Sequence, residues 1–217
     1  MARPSQSVSA APVRTARRRR VDTARRDELL EKIEEIFLAE GFISITVAEL
    51  TERLHCSKAT LYSVAPTKDQ LVIAATKKFF GSSAEAIEAA VAAQKDPRAR
   101  ITTYLGGVGD AMRRNSRAFY DDMVSFEPTA EIYGRNTARA AQRVQELIDD
   151  GIAAGVFRPT DGVFASQLVA LVIEAVQSGV LLDRTGMSAA DAFHELSNLL
   201  FHGLLQDSPG RRRSSTD

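Results

Sequence analysis

The sequence predicts an all-α fold, with a three-helix helix-turn-helix unit at the N-terminal end and a larger helical body behind it. Three observations carry this. Apolar residues recur at three- and four-residue steps, no segment sustains period-two alternation, and residues 46–71 place three helix-start signals close together. Such dense punctuation is what a compact helix-turn-helix requires, because its helices are short and their connections too brief to let them fold back antiparallel.

The first helix carries Leu29, Leu30, Ile33, Ile36 and Phe37 on one face, leaving Glu28, Glu31, Glu34 and Glu35 mostly outside it. Gly41 is placed to end it in a left-handed cap. Thr46 with Glu49 fits a capping box for a short helix over residues 47–54. Ser57 opens the next helix after only His55 and Cys56, and Thr67 with Gln70 opens a fourth after Pro66. The run VIAATKKFF then carries this fourth helix into the body.

Asp96-Pro97 marks a further start, since proline is tolerated at the first helical position, and Ile101, Tyr104, Leu105, Val108 and Met112 point inward from it. Gly106, Gly107 and Gly109 lie inside that helix. Each costs about 1 kcal/mol relative to Ala, so together they indicate a close helix contact, a kink, or room for a bound molecule. They are no phosphate loop, because neither GK[ST] nor a strand accompanies them. Helices are read at residues 116–126 and 128–154, the second ending at Gly155. Residues 163–182 are the most apolar stretch, long enough for a bilayer of about 30 Å. Gln167, Glu174 and Gln177 would face lipid unpaired, so the stretch reads as a helix buried against its own core and a second subunit. The last helix, capped by Ser188, carries Ala192, Phe193, Leu196, Leu199, Leu200 and Leu204; two such helices from each subunit make a four-helix homodimer interface.

The order of these residues resembles the TetR family of transcriptional regulators: an apolar helix ending in Gly41-Phe42, then Thr46-Val47-x-x-Leu50, then Ser57-Lys58-Ala59-Thr60-Leu61-Tyr62, then Thr67-Lys68-x-x-Leu71. The resemblance covers residues 25–71; beyond it only the architecture is shared. The family usually has glycine where His55 stands and an aromatic where Ala65 stands. His55 is therefore expected in a left-handed turn, which His tolerates better than most residues with a side chain. The resemblance implies a homodimer that sets its short helices into successive major grooves of a palindromic operator in double-stranded DNA. Lys58, Ala59, Thr60 and Tyr62 match the recognition segment. Lys58 is assigned to a base or phosphate, Thr60 to a base methyl or phosphate, and Tyr62 to a phosphate, with Leu61 in the core. Thr46 and Lys68 stand at helix starts, where phosphates are held, Ser57 is a further DNA-binding candidate, and Arg25 and Arg26 flank the site.

Charge supports the same polarity. The net charge of the chain is zero, yet residues 1–26 hold eight Arg and one Asp. A basic end on an otherwise acidic chain favours a phosphate backbone and binding that weakens steeply with salt. Residues 1–21 read as a disordered basic arm, either solvated or reaching the minor groove. A DNA-binding domain over 22–68, a helical ligand-binding and dimerisation domain over 69–206, and a disordered tail over 207–217 complete the division. The basic N-terminal run lacks the apolar segment of a secretory signal, so a cytoplasmic protein is expected. Cys56, the one cysteine, reads as a small side chain packed in the turn rather than a redox switch.

Tyr104, Met112, Phe119, Met123, Phe126, Tyr133 and Ile173 are the candidate lining of an effector pocket, mixing aromatic bodies with flexible thioethers suited to a small apolar or amphipathic molecule. Glu174 and Gln177 stand out on the apolar helix as ligand contacts, or as polar groups at the dimer seam. HExxH, GxSxG and Cys/His metal spacing are all absent, and His55, His194 and His202 are scattered, so catalysis, a metal and a cofactor are not expected. The expected function is a repressor released by its effector; an effector-independent DNA-binding protein and a helical interaction module are the alternatives.

Overall fold

The structure, a computed structural model, describes residues 13–205. Ten helices follow one another among them: α1 (Val13–Glu40), α2 (Val47–Arg53), α3 (Lys58–Tyr62), α4 (Lys68–Ala92), α5 (Pro97–Met112), α6 (Arg117–Ser125), α7 (Glu127–Ala153), α8 (Gly162–Gln177), α9 (Val180–Thr185) and α10 (Ala189–Leu204). The only β pairing among the described residues is an isolated bridge between Phe157 and Leu205. No described helix is long and apolar enough to cross a membrane.

Local chemistry sets the starts. Side chains of Thr46, Ser57, Thr67, Asp96, Ser116, Asp161 and Ser188 each accept a backbone N–H from the first turn they precede. The Thr46–Glu49 capping box closes both ways, Glu49 N donating to Thr46 Oγ1 at 3.2 Å and Thr46 N to Glu49 Oε2 at 2.6 Å. Gly41 ends α1 at φ +80, and His55 takes the turn between α2 and α3 at φ +47, as expected from its place in the motif.

One core runs without interruption from the helix-turn-helix into the body. Leu50 and Leu61 on the short helices join Ile33 and Phe37 of α1, Leu71 and Phe79 of α4, Phe119 and Met123 of α6, and Phe193 of α10. The far end of the body is sealed by a second cluster that includes Val91, Ile101, Leu147, Ile148 and Phe157. α4 contributes to both, so a rod of 25 residues, about 37 Å at 1.5 Å per residue, joins the two ends.

Three expectations are corrected. α1 begins at Val13, so residues 13–21 of the expected arm are helical; Arg and Ala are strong helix formers, and charge alone masked that preference. Residues 1–12 and the expected tail lie outside the described residues. Residues 163–182 are not one helix, because Ser178 closes α8 and Gly179, at φ +75, turns the chain before α9. Glu34 is not outside: it is 3% exposed, with Lys78 Nζ and Arg114 Nη2 each 3.3 Å from its carboxylate. A buried charge needs such partners, and they come from α4 and from just past the end of α5.

The glycines of α5 serve packing rather than a kink. A Cβ on Gly107 would press on Ile87 of α4 at 2.8 Å, and one on Gly109 on Phe193 of α10 at 3.1 Å, whereas Gly106 meets nothing within 4 Å. At Gly151 the Phe157 ring fills the space a Cβ would need. Thermal unfolding should separate these roles. Gly106→Ala is expected to stabilise by up to about 1 kcal/mol by relieving helix-interior glycine. Gly151→Ala is expected to destabilise by about 1–3 kcal/mol through overpacking, a drop of roughly 2–4 °C in Tm per kcal/mol.

Candidate functional site

The exposed face of the helix-turn-helix is built from short helices held by their buried members. Leu61 is fully buried beneath α3, which turns Lys58, Ala59 and Tyr62 outward, with Tyr62 39% exposed. Thr60 is half-buried, its hydroxyl 2.9 Å from that of Ser57, so both are part of the cap of α3. Thr46 is exposed, and its hydroxyl and amide are engaged with Glu49. Those hydrogen bonds hold the fully exposed Glu49 carboxyl below its usual range, so the start of α2 already carries an anion. Lys68 is half-buried, its Nζ donating to Ile43 O at 2.9 Å. Arg25 and Arg26 are exposed at the edge, and Arg26 Nη2 donates to Val64 O at 3.2 Å. All nine expected residues thus lie on α1, α3 or the start of α4 or cap α2 or α3, with Lys58, Ala59, Thr60 and Tyr62 on α3 and Ser57 as its cap. Cys56 packs partly buried against the core.

The joint between α1 and α2 is clasped by the body. Asp122 of α6 accepts from Phe42 N at 2.6 Å and Ile43 N at 2.7 Å through the same Oδ2, and Ser116 N donates to Leu38 O at 2.8 Å. Phe42 meets Phe119 edge-on at 6.0 Å; Phe119 meets Phe79 at 6.2 Å, and Phe79 meets Phe80 at 4.9 Å.

Phe80 ends that aromatic line at a cleft of about 580 Å³ between α4, α5 and α7. Beneath the cleft a narrower apolar crevice of about 40 Å³ reaches Val144, Val169 and Ile173, and the two share Phe80, Tyr104, Val108 and Met112. Of the expected pocket residues, Tyr104 and Met112 line both spaces, while Tyr133 and Ile173 line the crevice. Phe119 and Met123 are fully buried in the core, and Phe126 packs on it with its ring 6.3 Å from Phe42; they support the joint and line neither space. Glu174 is exposed and Gln177 half-buried on α8, and neither reaches the cleft or crevice. Sequence reasoning missed Lys77, Phe80, Val108, Arg135 and Arg139. The signal was present: Arg135, Arg139 and Arg143 recur every four residues and so share one face of α7.

Inside the cleft, Arg143 Nε and Nη2 donate to Glu88 at 2.9 and 3.1 Å, and its Nη1 donates to Glu146 at 3.1 Å. Burial, together with the Glu88 carboxylate, pushes the Tyr104 hydroxyl up to about 12, so it remains a donor at neutral pH. Burial also raises the Tyr133 hydroxyl, which has no hydrogen-bond partner among the described residues.

Asp122→Ala removes one carboxylate from two backbone donors. It is expected to destabilise the protein by about 2 kcal/mol, with faster amide exchange at Phe42 and Ile43 and little change at Leu147. Unchanged exchange at those two amides would show that the clasp does not hold the joint.

No family model matches the sequence, and no curated protein matches it. The likeness is in the fold. A protein of Saccharomonospora viridis, described as a transcriptional regulator in complex with choline, superposes with a TM-score of 0.71 at 17% identity, over 85% of this chain and 100% of the other. A TetR transcription regulator of Haloarcula marismortui superposes with 0.70 at 18% identity over 85% and 100%. A TetR-family regulator of Cytophaga hutchinsonii gives 0.68 at 17% identity over 86% and 98%. This chain therefore has the all-α fold of the TetR-family transcriptional regulators.

Proposed function

We propose that the protein is a TetR-family transcriptional regulator, a homodimer that binds a palindromic DNA operator and is released from it by a small molecule in the cleft. The observation that carries the reading is one chain holding both an outward-facing Lys58, Ala59 and Tyr62 on a buried-Leu61 helix and a 580 Å³ cleft joined to it by packed side chains. Lys58 and Tyr62 supply the donors that base edges and phosphates require. Because Glu49 covers the start of α2, the phosphate contacts there fall to Lys68 and the Thr46 hydroxyl.

Dimerisation is supported by an apolar face that no described residue covers. Val163, Phe164, Leu168 and Leu171 are 44–69% exposed on α8. Leu199 on α10 is 72% exposed. Patches of this kind on small proteins mark interfaces, and a two-fold axis through α8 and α10 places the face against its own copy. Gln167 and Glu174 are exposed on the same helix. They give the seam a polar edge.

The signal needs two states with different effector affinity. Filling the cleft moves Phe80, and the line Phe80–Phe79–Phe119–Phe42 ends at the joint that Asp122 clasps. A shift of α6 thereby changes the angle of the reading unit and the spacing of the two heads.

Fluorescence anisotropy on the DNA upstream of the protein's own gene tests the reading. Lys58→Ala is expected to weaken binding by about 1–3 kcal/mol, and, where it meets a phosphate, to lower the salt slope by about 1. Tyr62→Phe is expected to weaken it roughly fivefold, the worth of one hydrogen bond. Equal binding to any duplex, untouched by either change, would leave only a helical dimer with a basic end. By light scattering, Leu171→Glu with Leu199→Glu should yield a monomer with native helicity.

A further inference from the structure

The charges of the cleft point to the chemistry of its ligand. We infer that it takes an amphipathic anion: an apolar chain or ring system ending in a carboxylate or phosphate. This rests on the effector-gated reading above and names the ligand class for that site.

Four cations and two carboxylates line the cleft: Lys77, Arg135, Arg139 and Arg143 against Glu88 and Glu146. Both carboxylates are committed to Arg143, Glu88 through two hydrogen bonds and Glu146 through one. Arg135 pairs with Glu131 at 3.2 Å, one turn back on α7. Lys77 and Arg139 have no ion pair among the described residues and stand on opposite sides, on α4 and α7. A ligand entering between them meets two free positive charges and no free negative one.

The floor has the opposite character. Phe80, Val108, Met112 and Ile173 lead from the cleft into the crevice, where an alkyl or ring terminus leaves water for apolar contact. Between head and tail, Tyr104 keeps its proton and donates without adding charge. A quaternary ammonium head would have to draw Glu88 or Glu146 away from Arg143, exposing a guanidinium to a like charge. The anion needs no such rearrangement.

The experiment is calorimetric titration of the full-length protein, without DNA, with decanoate, decyl phosphate, decyltrimethylammonium and decanol. At least one of the two anions is expected to bind roughly tenfold or more tighter than the ammonium and the alcohol, and comparing them distinguishes a carboxylate from a phosphate head. The variant Lys77→Gln with Arg139→Gln should lose most of that preference while binding decanol as before, and Val108→Trp should block all four probes. Both exposed cations lie outside the core, so the double variant is expected to fold; circular dichroism checks it. Tighter binding of the ammonium, an anion preference unchanged in the double variant, or no binding of any probe would overturn the assignment. A parallel anisotropy measurement on operator DNA separates the two readings. An anion that binds yet releases no DNA overturns the gating and keeps the ligand class; an ammonium that binds and releases DNA does the reverse.

Discussion

A single carboxylate oxygen decides how the two parts of this protein are joined. Asp122 Oδ2 takes both N–H groups that follow Gly41, in the left-handed turn where α1 stops and the path to α2 begins. Those groups have no helical partner, so their satisfaction from α6 makes the direction of the reading unit depend on the position of α6. Gly41 is needed for the same contact, because a Cβ there would lie 2.6 Å from Asp122 Oδ2 and 3.2 Å from the Ala118 backbone. Close-packed aromatic rings behind the clasp transmit displacement because they cannot compress.

What the chain declared openly is what short-range chemistry governs. Thr46, Ser57, Thr67, Asp96 and Ser188 each bond within three residues, so their role is visible in any window that contains them. His55 was legible through the resemblance, because it stands where the family usually has glycine, and the structure gives it a positive φ. Leu61 and Tyr62 were separable as core and surface by their places in the resembling motif, and the structure buries Leu61 and leaves Tyr62 39% exposed.

Long-range placement was not legible in that way. Glu34 lies among Glu31 and Glu35 on a charged helix, and nothing near it announces Lys78 or Arg114, which arrive from 44 and 80 residues away. Phe119, Met123 and Phe126 have the composition of a ligand wall, and only tertiary packing assigns them to the joint instead of the cleft. The break after α8 did have a local sign, the Ser178-Gly179 pair, but surrounding apolarity outweighed it. The row Arg135, Arg139 and Arg143 resembles a solvated face until α4 is set opposite it.

The Glu34 arrangement carries a consequence for how this sequence can change over time. One buried acid on α1 answers two bases, one on α4 and one just past the end of α5, so the three positions form a single charge-balanced unit. Losing the acid leaves two cations facing each other; losing both bases leaves a buried anion without a counterion. Each single step is worse than either end point. Divergent descendants of this chain should therefore keep the trio intact or exchange it as a block for uncharged residues, and positions 34, 78 and 114 should be inherited together although they are far apart in the gene.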